Sequence, residues 1–194
     1  MRWFQPPFRH VLAAACFTLT GACAQDAPET SRTQAAPAAG CLTSGDGSLE
    51  AQLRGALLAD LAWKNAEMLC DGSPQPDGTG IRITIAGPLP ESHAQLRFIF
   101  GIDLHDTASG VAQAFPTNLT AIVEGNQELY ATRGTDKCAV ETLQRKSVAG
   151  SNGKLDRVKV RGYCIGPASD ITGNARLLVP TFSFTALLRN GDDP

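Results

Sequence analysis

Residues 138–164 read CAVETLQRKSVAGSNGKLDRVKVRGYC, and the other predicted strands are placed around this stretch. Two arms rich in strand-forming residues flank a Gly-Ser-Asn-Gly turn at residues 150–153, and one cysteine stands at each outer end. Gly and Asn suit a tight turn because they accept positive φ angles. Paired residues of an antiparallel hairpin have a constant index sum, so pairing Cys138 with Cys164 centres the turn on Ser151. We therefore predict a β-hairpin clamped by a disulfide.

The same register divides the hairpin into two faces, because successive side chains of a strand alternate. One face carries both cysteines and is expected to point inward, with the pairs Val140–Gly162, Thr142–Val160 and Gln144–Val158. The other face is expected to be solvated, with the pairs Glu141–Arg161, Leu143–Lys159 and Arg145–Arg157. A slip of one residue would exchange the two faces.

The expected solvated face is basic. Arg157, Lys159 and Arg161 alternate along one strand, and Arg145 is placed opposite Arg157. Facing like charges are destabilising, so an anionic partner would relieve them. We interpret these four residues as a candidate anion-binding face for an anionic envelope component or an acidic protein. The alternative is an ordinary solvated surface, on which a Glu141–Arg161 pair contributes little.

Residues 1–24 have the features of an export signal peptide. Two arginines precede a short apolar segment at residues 11–20, which is too short to cross a bilayer, so no transmembrane segment is expected. Ala22-Cys23-Ala24 fits the rule for cleavage before Gln25. A loose lipobox at residues 19–23 offers a second interpretation, in which Cys23 is lipidated. The expected location is secreted or periplasmic, with a membrane-anchored lipoprotein as the alternative.

Four cysteines remain once the signal is removed, namely Cys41, Cys70, Cys138 and Cys164. An even number in an exported chain predicts two disulfides formed in an oxidising compartment. The hairpin pairing leaves Cys41 to bond with Cys70. We expect no metal or cofactor, because the chain lacks Cys-x-x-Cys and has few histidines to complete a ligand set.

Residues 25–40 are rich in Ala, Pro and Thr and predict a flexible tail, followed by one domain at 41–190 and a frayed end at 191–194. Residues 48–64 are ambiguous. Leucines four residues apart would suit a helix, but odd positions are nearly all apolar or small, which suits strands. Gly55 would weaken a helix interior, so strands are preferred.

Alternating apolar residues predict further strands, at residues 81–86, 96–102, 119–124, 128–133 and 177–188. Pro180 cannot donate a ladder hydrogen bond, which predicts an edge or a bulge there. Residues 71–78 have loop composition. About nine strands at this spacing predict an all-β fold, an antiparallel β-sandwich with a barrel-like arrangement as the alternative.

No catalytic motif is present: the chain lacks G-x-S-x-G, H-E-x-x-H and the P-loop. The formal net charge of −2 falls to −4 without Arg2 and Arg9, which argues against nucleic acid as a partner. We therefore expect a binding or accessory protein rather than an enzyme. The alternatives are a secreted inhibitor acting through residues 103–117 and a hydrolase that uses carboxylates.

Overall fold

The computed structural model describes residues 40–104, 114–126 and 128–190, and these form an antiparallel all-β fold, as predicted. Its helical content is one 3-10 turn, Asn65–Glu67. No helix within these ranges is long and apolar enough to cross a membrane. The strands are β1 Ser48–Gly55, β2 Ala59–Lys64, β3 Leu69–Pro74, β4 Gly80–Pro88, β5 Gln95–Asp103, β6 Phe115–Glu124, β7 Glu128–Ala131, β8 Cys138–Ser147, β9 Leu155–Cys164, β10 Ala168–Asp170, β11 Arg176–Leu178 and β12 Phe182–Arg189.

The ambiguous segment at residues 48–64 is a hairpin of β1 and β2, which confirms the preference for strands. Its register pairs Leu49 with Trp63 and Ala51 with Leu61, all of them buried. Gly55 ends β1 with φ of 104°, a left-handed conformation that favours glycine. The local signal for strands therefore came from alternation, which the helical propensities did not override.

The described residues form twelve strands where about nine were expected, and three differences account for the larger number. The predicted loop at residues 71–78 is wrong for its first half, since β3 runs to Pro74 and pairs with β4. The three-residue strand β10 was not foreseen. The last predicted strand is split at Pro180 into β11 and β12, and both parts pair with β1 in registers that differ by one residue, which confirms a bulge there.

The strands form a sandwich-like arrangement. One layer is β3-β4-β5-β6 and the other is β2-β1-β12-β9-β8, with β6 also pairing with β8 and the short ribbon β7-β10-β11 joining β6 to β1. Aromatic side chains meet between the layers, because the ring centroid of Phe100 on β5 lies 4.9 Å from that of Phe182 and 4.8 Å from that of Phe184 on β12. Such contacts add to the hydrophobic burial of the core.

The hairpin of β8 and β9 keeps the predicted register only at its disulfide end. Cys138 pairs with Cys164 and Val140 with Gly162, but Glu141 is an extra residue that forms a β-bulge. Beyond it the predicted pairs are wrong, since Leu143 faces Val160. The bulge turns Leu143 toward the core, where the predicted register would have placed Thr142 and Gln144.

Both predicted disulfides are present, Cys138–Cys164 and Cys41–Cys70. They indicate an oxidising environment rather than the cytoplasm. The second disulfide fastens the segment at residues 41–47 to β3, and Asn65 holds the same segment. Its Oδ1 accepts the N–H groups of Leu42 at 2.7 Å and Gly47 at 3.1 Å, and its Nδ2 donates to the carbonyl of Leu42 at 3.0 Å.

Asn65→Ala should lower the free energy of unfolding by on the order of 3 kcal/mol, because it leaves the buried N–H groups of Leu42 and Gly47 without partners. Asn65 is only 8% exposed, so water cannot replace the lost bonds without opening the segment. Urea denaturation with both disulfides intact measures the effect, and Asn126→Ala at an exposed turn is the control. A loss no larger than that of the control would contradict this role.

Candidate functional site

The outer face of the β2-β1-β12-β9-β8 layer is polar. Cross-strand pairing aligns side chains in rows, and one row runs from Glu50 on β1 through Ser183 and Arg161 to Thr142 on β8. Each step spans about 4.8 Å between neighbouring strands. The alternation that buries Leu49, Ala51, Val158 and Val160 therefore presents this row to the solvent side.

Three of the four predicted basic residues lie together on this face. Arg157, Lys159 and Arg161 alternate along β9, as expected. Arg157 forms an ion pair with Asp46 at 2.6 Å, and Arg161 lies 3.7 Å from Glu141. Within the described ranges, Lys159 has neither an ion pair nor a side-chain hydrogen bond. It is exposed and stands opposite Gln144 on β8 and Thr185 on β12.

Arg145 does not belong to this face, which corrects the predicted pairing with Arg157. Beyond the bulge Arg145 stands opposite Val158, so it shares the face of the buried valine. Its guanidinium binds the Asp156 carboxylate at 2.9 Å and the Asn190 side chain at 2.7 Å. Lys146 takes the predicted place opposite Arg157. Two like charges therefore do stand opposite each other across the hairpin, but they belong to Lys146 and Arg157.

A groove of about 570 Å³ runs over this face. Its polar lining comes from five strands and the residue before β12, and consists of Glu50, Gln52, Asp60, Glu141, Arg161, Tyr163, Thr181 and Ser183. A smaller depression of about 330 Å³ continues it toward Lys159 and shares Arg161 and Ser183. The two concavities together connect the acidic side at β1 and β2 with the basic side at β9.

The groove offers many hydrogen-bonding groups in a shallow, open shape. Asp60 is held by Arg54 at 2.8 Å, whereas Glu50 has no ion pair or side-chain hydrogen bond within the described residues. Hydroxyl and amide side chains lie between the charges. No group of three or more potential metal ligands occurs in the described part of the chain. The arrangement suits recognition of a polar, charged ligand by direct contacts.

The segment at residues 41–47 supplies a part of the site that the sequence pattern did not reveal. Asp46 reaches Arg157 and accepts a hydrogen bond from the Ser44 hydroxyl at 2.5 Å. Because Asn65 and the Cys41–Cys70 disulfide hold this segment, they also set how far Arg157 is neutralised. The Ser-Gly-Asp-Gly composition predicts a turn, but the contact with β9 depends on tertiary structure.

A separate concavity of about 500 Å³ lies beside β7 and β10, with Glu128, Tyr130, Asp170 and Ile171 among its lining residues. Burial and the nearby Glu128 carboxylate raise the pKa of Tyr130. The Thr172 hydroxyl, followed by backbone N–H groups of the β10–β11 turn, lowers the pKa of Asp170. Asp170 therefore serves as the acceptor that stabilises this turn.

The structure describes the remaining predicted sites only in part. Most of the predicted inhibitory segment at residues 103–117 lies outside the described residues, and its two ends belong to β5 and β6 rather than to a loop. Cys23 lies outside them as well. No protein-family model, no curated protein and no solved structure matches this chain.

Asp156→Asn should destabilise the fold by about 2 kcal/mol at pH 7, because it removes the charge that Arg145 neutralises. Burial alone would raise the pKa of Asp156, but hydrogen bonds from Asn190, Ser147 and Arg145 outweigh it and hold the pKa below its ordinary value of 3.8. The unfolded chain therefore binds more protons in acid. The stabilisation is complete above pH 3.8 and is lost as the pH falls through the folded pKa.

Denaturant unfolding of wild type and variant between pH 7 and pH 2 measures this difference. The two curves should converge in acid, whereas exposed Asp136→Asn should match wild type throughout. A gap that stayed constant down to the lowest pH would contradict the linkage.

Proposed function

We propose that this chain is an exported binding protein, located in the cell envelope or secreted, and that the groove on its outer face binds an anionic ligand. One observation carries the proposal. Lys159 and Arg161 are exposed cations at one end of a groove whose other lining combines apolar surface with hydroxyl and amide groups and three carboxylates. Cations on a preformed concave surface attract anions and orient them.

The availability of these two cations supports the proposal. The side chain of Arg161 is 66% exposed, and its distance of 3.7 Å from Glu141 is longer than a strong charge-assisted hydrogen bond. Among the described residues, Lys159 has no ion-pair partner, whereas Arg157 is engaged by Asp46. A carboxylate, phosphate or sulfate of the ligand would therefore meet Lys159 and Arg161 first, with Thr142 and Ser183 as neighbouring hydroxyls.

The location also supports a ligand of the envelope. Two disulfides point to an oxidising compartment, and residues 1–24 have the composition of an export signal. If Cys23 is lipidated instead, residues 25–40 would tether the domain to a membrane. In either case the accessible anions are lipid headgroups, lipopolysaccharide, acidic wall polymers and acidic proteins.

The double variant Lys159→Glu/Arg161→Glu should weaken binding to an anionic envelope probe by at least ~10-fold, since close charge pairs couple strongly. Sedimentation with phosphatidylglycerol vesicles, lipopolysaccharide and polygalacturonate tests three sources of the anion, and phosphatidylcholine vesicles are the neutral reference. Arg82→Glu/Arg133→Glu makes the same charge change at exposed positions outside the groove. Equal loss in both double variants would show an effect of net charge only and would sink the proposal.

A hydrolase is the second candidate, because three carboxylates, those of Glu50, Asp60 and Glu141, line the same groove. Paired carboxylates are the groups that glycoside hydrolases use. Incubation with polygalacturonate and analysis of its chain length separates the two functions. Shortening by wild type and its loss in Glu50→Gln would favour the enzyme, while an unchanged polymer would favour binding alone.

A further inference from the structure

The groove ends at β2, a strand with one open side. β2 pairs with β1 along its whole length, and no other strand of the described residues pairs with it. An open edge presents unpaired N–H and C=O groups, which can pair with another strand. The chemistry of this edge therefore determines what could join it.

The hydrogen bonds of β1 determine which backbone N–H and C=O groups of β2 point outward. The N–H of Gln52 donates to the Thr181 carbonyl at 3.2 Å, so Gln52 directs its backbone groups toward β12. The alternate residues Leu49, Ala51 and Leu53 then bond to β2, through Trp63, Leu61 and Ala59. Consequently the backbone groups of Asp60, Ala62 and Lys64 point away from β1. The Lys64 N–H agrees with this, since it donates to the Glu67 carboxylate outside the strand at 2.8 Å.

The side chains of these edge residues are self-complementary. In an antiparallel pairing of two β2 strands centred on Ala62, Asp60 stands opposite Lys64 of the partner subunit. The same pairing places Leu61 opposite Trp63 of the partner subunit. Opposite charges directly across an antiparallel pair stabilise it, and like charges destabilise it. This match favours a second copy over an unrelated extended segment.

We propose that β2 joins a second copy of this chain, edge to edge, in a two-fold symmetric dimer. Such an interface is isologous, with each Asp60 meeting one Lys64 across the axis. Six backbone hydrogen bonds are geometrically available, and the two from the Lys64 N–H groups compete with Glu67. The short edge makes the association weak and dependent on concentration.

The dimer would extend the groove. Asp60, Leu61 and Ala62 belong to the groove lining and to the dimer edge. A two-fold axis perpendicular to the sheet keeps both outer faces on the same side, so two grooves would meet across the axis. This consequence rests on the proposed function, whereas the association itself does not. The acidic sides of the two grooves would lie at the axis and the cations of each copy at the two outer ends. A polymeric anion long enough to reach both outer ends would bind with a higher apparent affinity.

Sedimentation equilibrium of the mature chain over a range of concentrations tests the dimer. Wild type should dimerise reversibly. Asp60→Lys and Lys64→Asp should each weaken dimerisation by at least ~10-fold, because each substitution creates two like-charge pairs in the dimer, one on each side of the axis. The double variant Asp60→Lys/Lys64→Asp should restore the dimer, since it re-forms both opposite pairs. Thermal melts check that each variant is folded, because Asp60→Lys also removes the contact with Arg54.

Asp136→Lys and Lys154→Asp are the charge-matched controls, since both positions are exposed and lie outside β2. They should leave the dissociation constant within about two-fold of wild type. A wild-type chain that stays monomeric at all concentrations would overturn the proposal and leave the edge to an extended segment of another protein. Failure of the folded double variant to recover would also overturn it. A wild-type chain that dimerises but does not bind the anionic probes would instead contradict the proposed function of the groove.

Discussion

The β-bulge at Glu141, next to the Cys138–Cys164 disulfide, is the constraint on which the outer face depends. The disulfide end of the hairpin is in one register, and one extra residue shifts everything beyond it. Since the period of a strand is two residues, this shift exchanges the faces of β8 without altering β9. Leu143 is partly buried and packs against the core, and the hydroxyl of Thr142 and the amide of Gln144 join the polar face.

The bulge also separates two kinds of basic residue. Arg145 turns to the face of the buried valines, where it neutralises Asp156, which is only 6% exposed. Leaving that carboxylate buried without a cation would be costly. Arg157, Lys159 and Arg161 stay on the other face. A structural ion pair and a candidate ligand site are thus built from the same hairpin, one on each side of it.

The second disulfide shapes the same face from a distance. Cys41–Cys70 and Asn65 hold the segment at residues 41–47 against the end of the sandwich, and Asp46 from this segment engages Arg157. Of the three cations on β9, Arg157 lies nearest this segment and is neutralised by Asp46, while Lys159 and Arg161 border the groove. The position of the available charge is therefore a consequence of tertiary structure rather than of the β9 sequence alone.

Composition and alternation were sufficient to predict the all-β class, both disulfides, the Gly150–Gly153 turn and the irregularity at Pro180. They were insufficient where a single residue changes the register. The inward-facing residues Cys138 and Val140 are two positions apart, but the next one, Leu143, follows three positions later. This extra residue is the local sequence signal of the bulge. The groove combines residues from β2, β1, β12, β9 and β8, and the contact of Asp46 with Arg157 spans more than 100 residues. No local pattern encodes such contacts.

Cross-strand nuclear Overhauser effects report the register of the β8–β9 hairpin beyond Glu141, which places each side chain of β8 on the inner or the outer face. The Val148 N–H donates to the Leu155 carbonyl, so alternation makes Leu143–Val160 and Arg145–Val158 non-hydrogen-bonded pairs. Such pairs bring their Cα atoms to about 4.5 Å. Strong Hα–Hα effects are predicted between Leu143 and Val160 and between Arg145 and Val158. Effects between Thr142 and Val160 and between Gln144 and Val158 would show a hairpin without the bulge and would contradict the account.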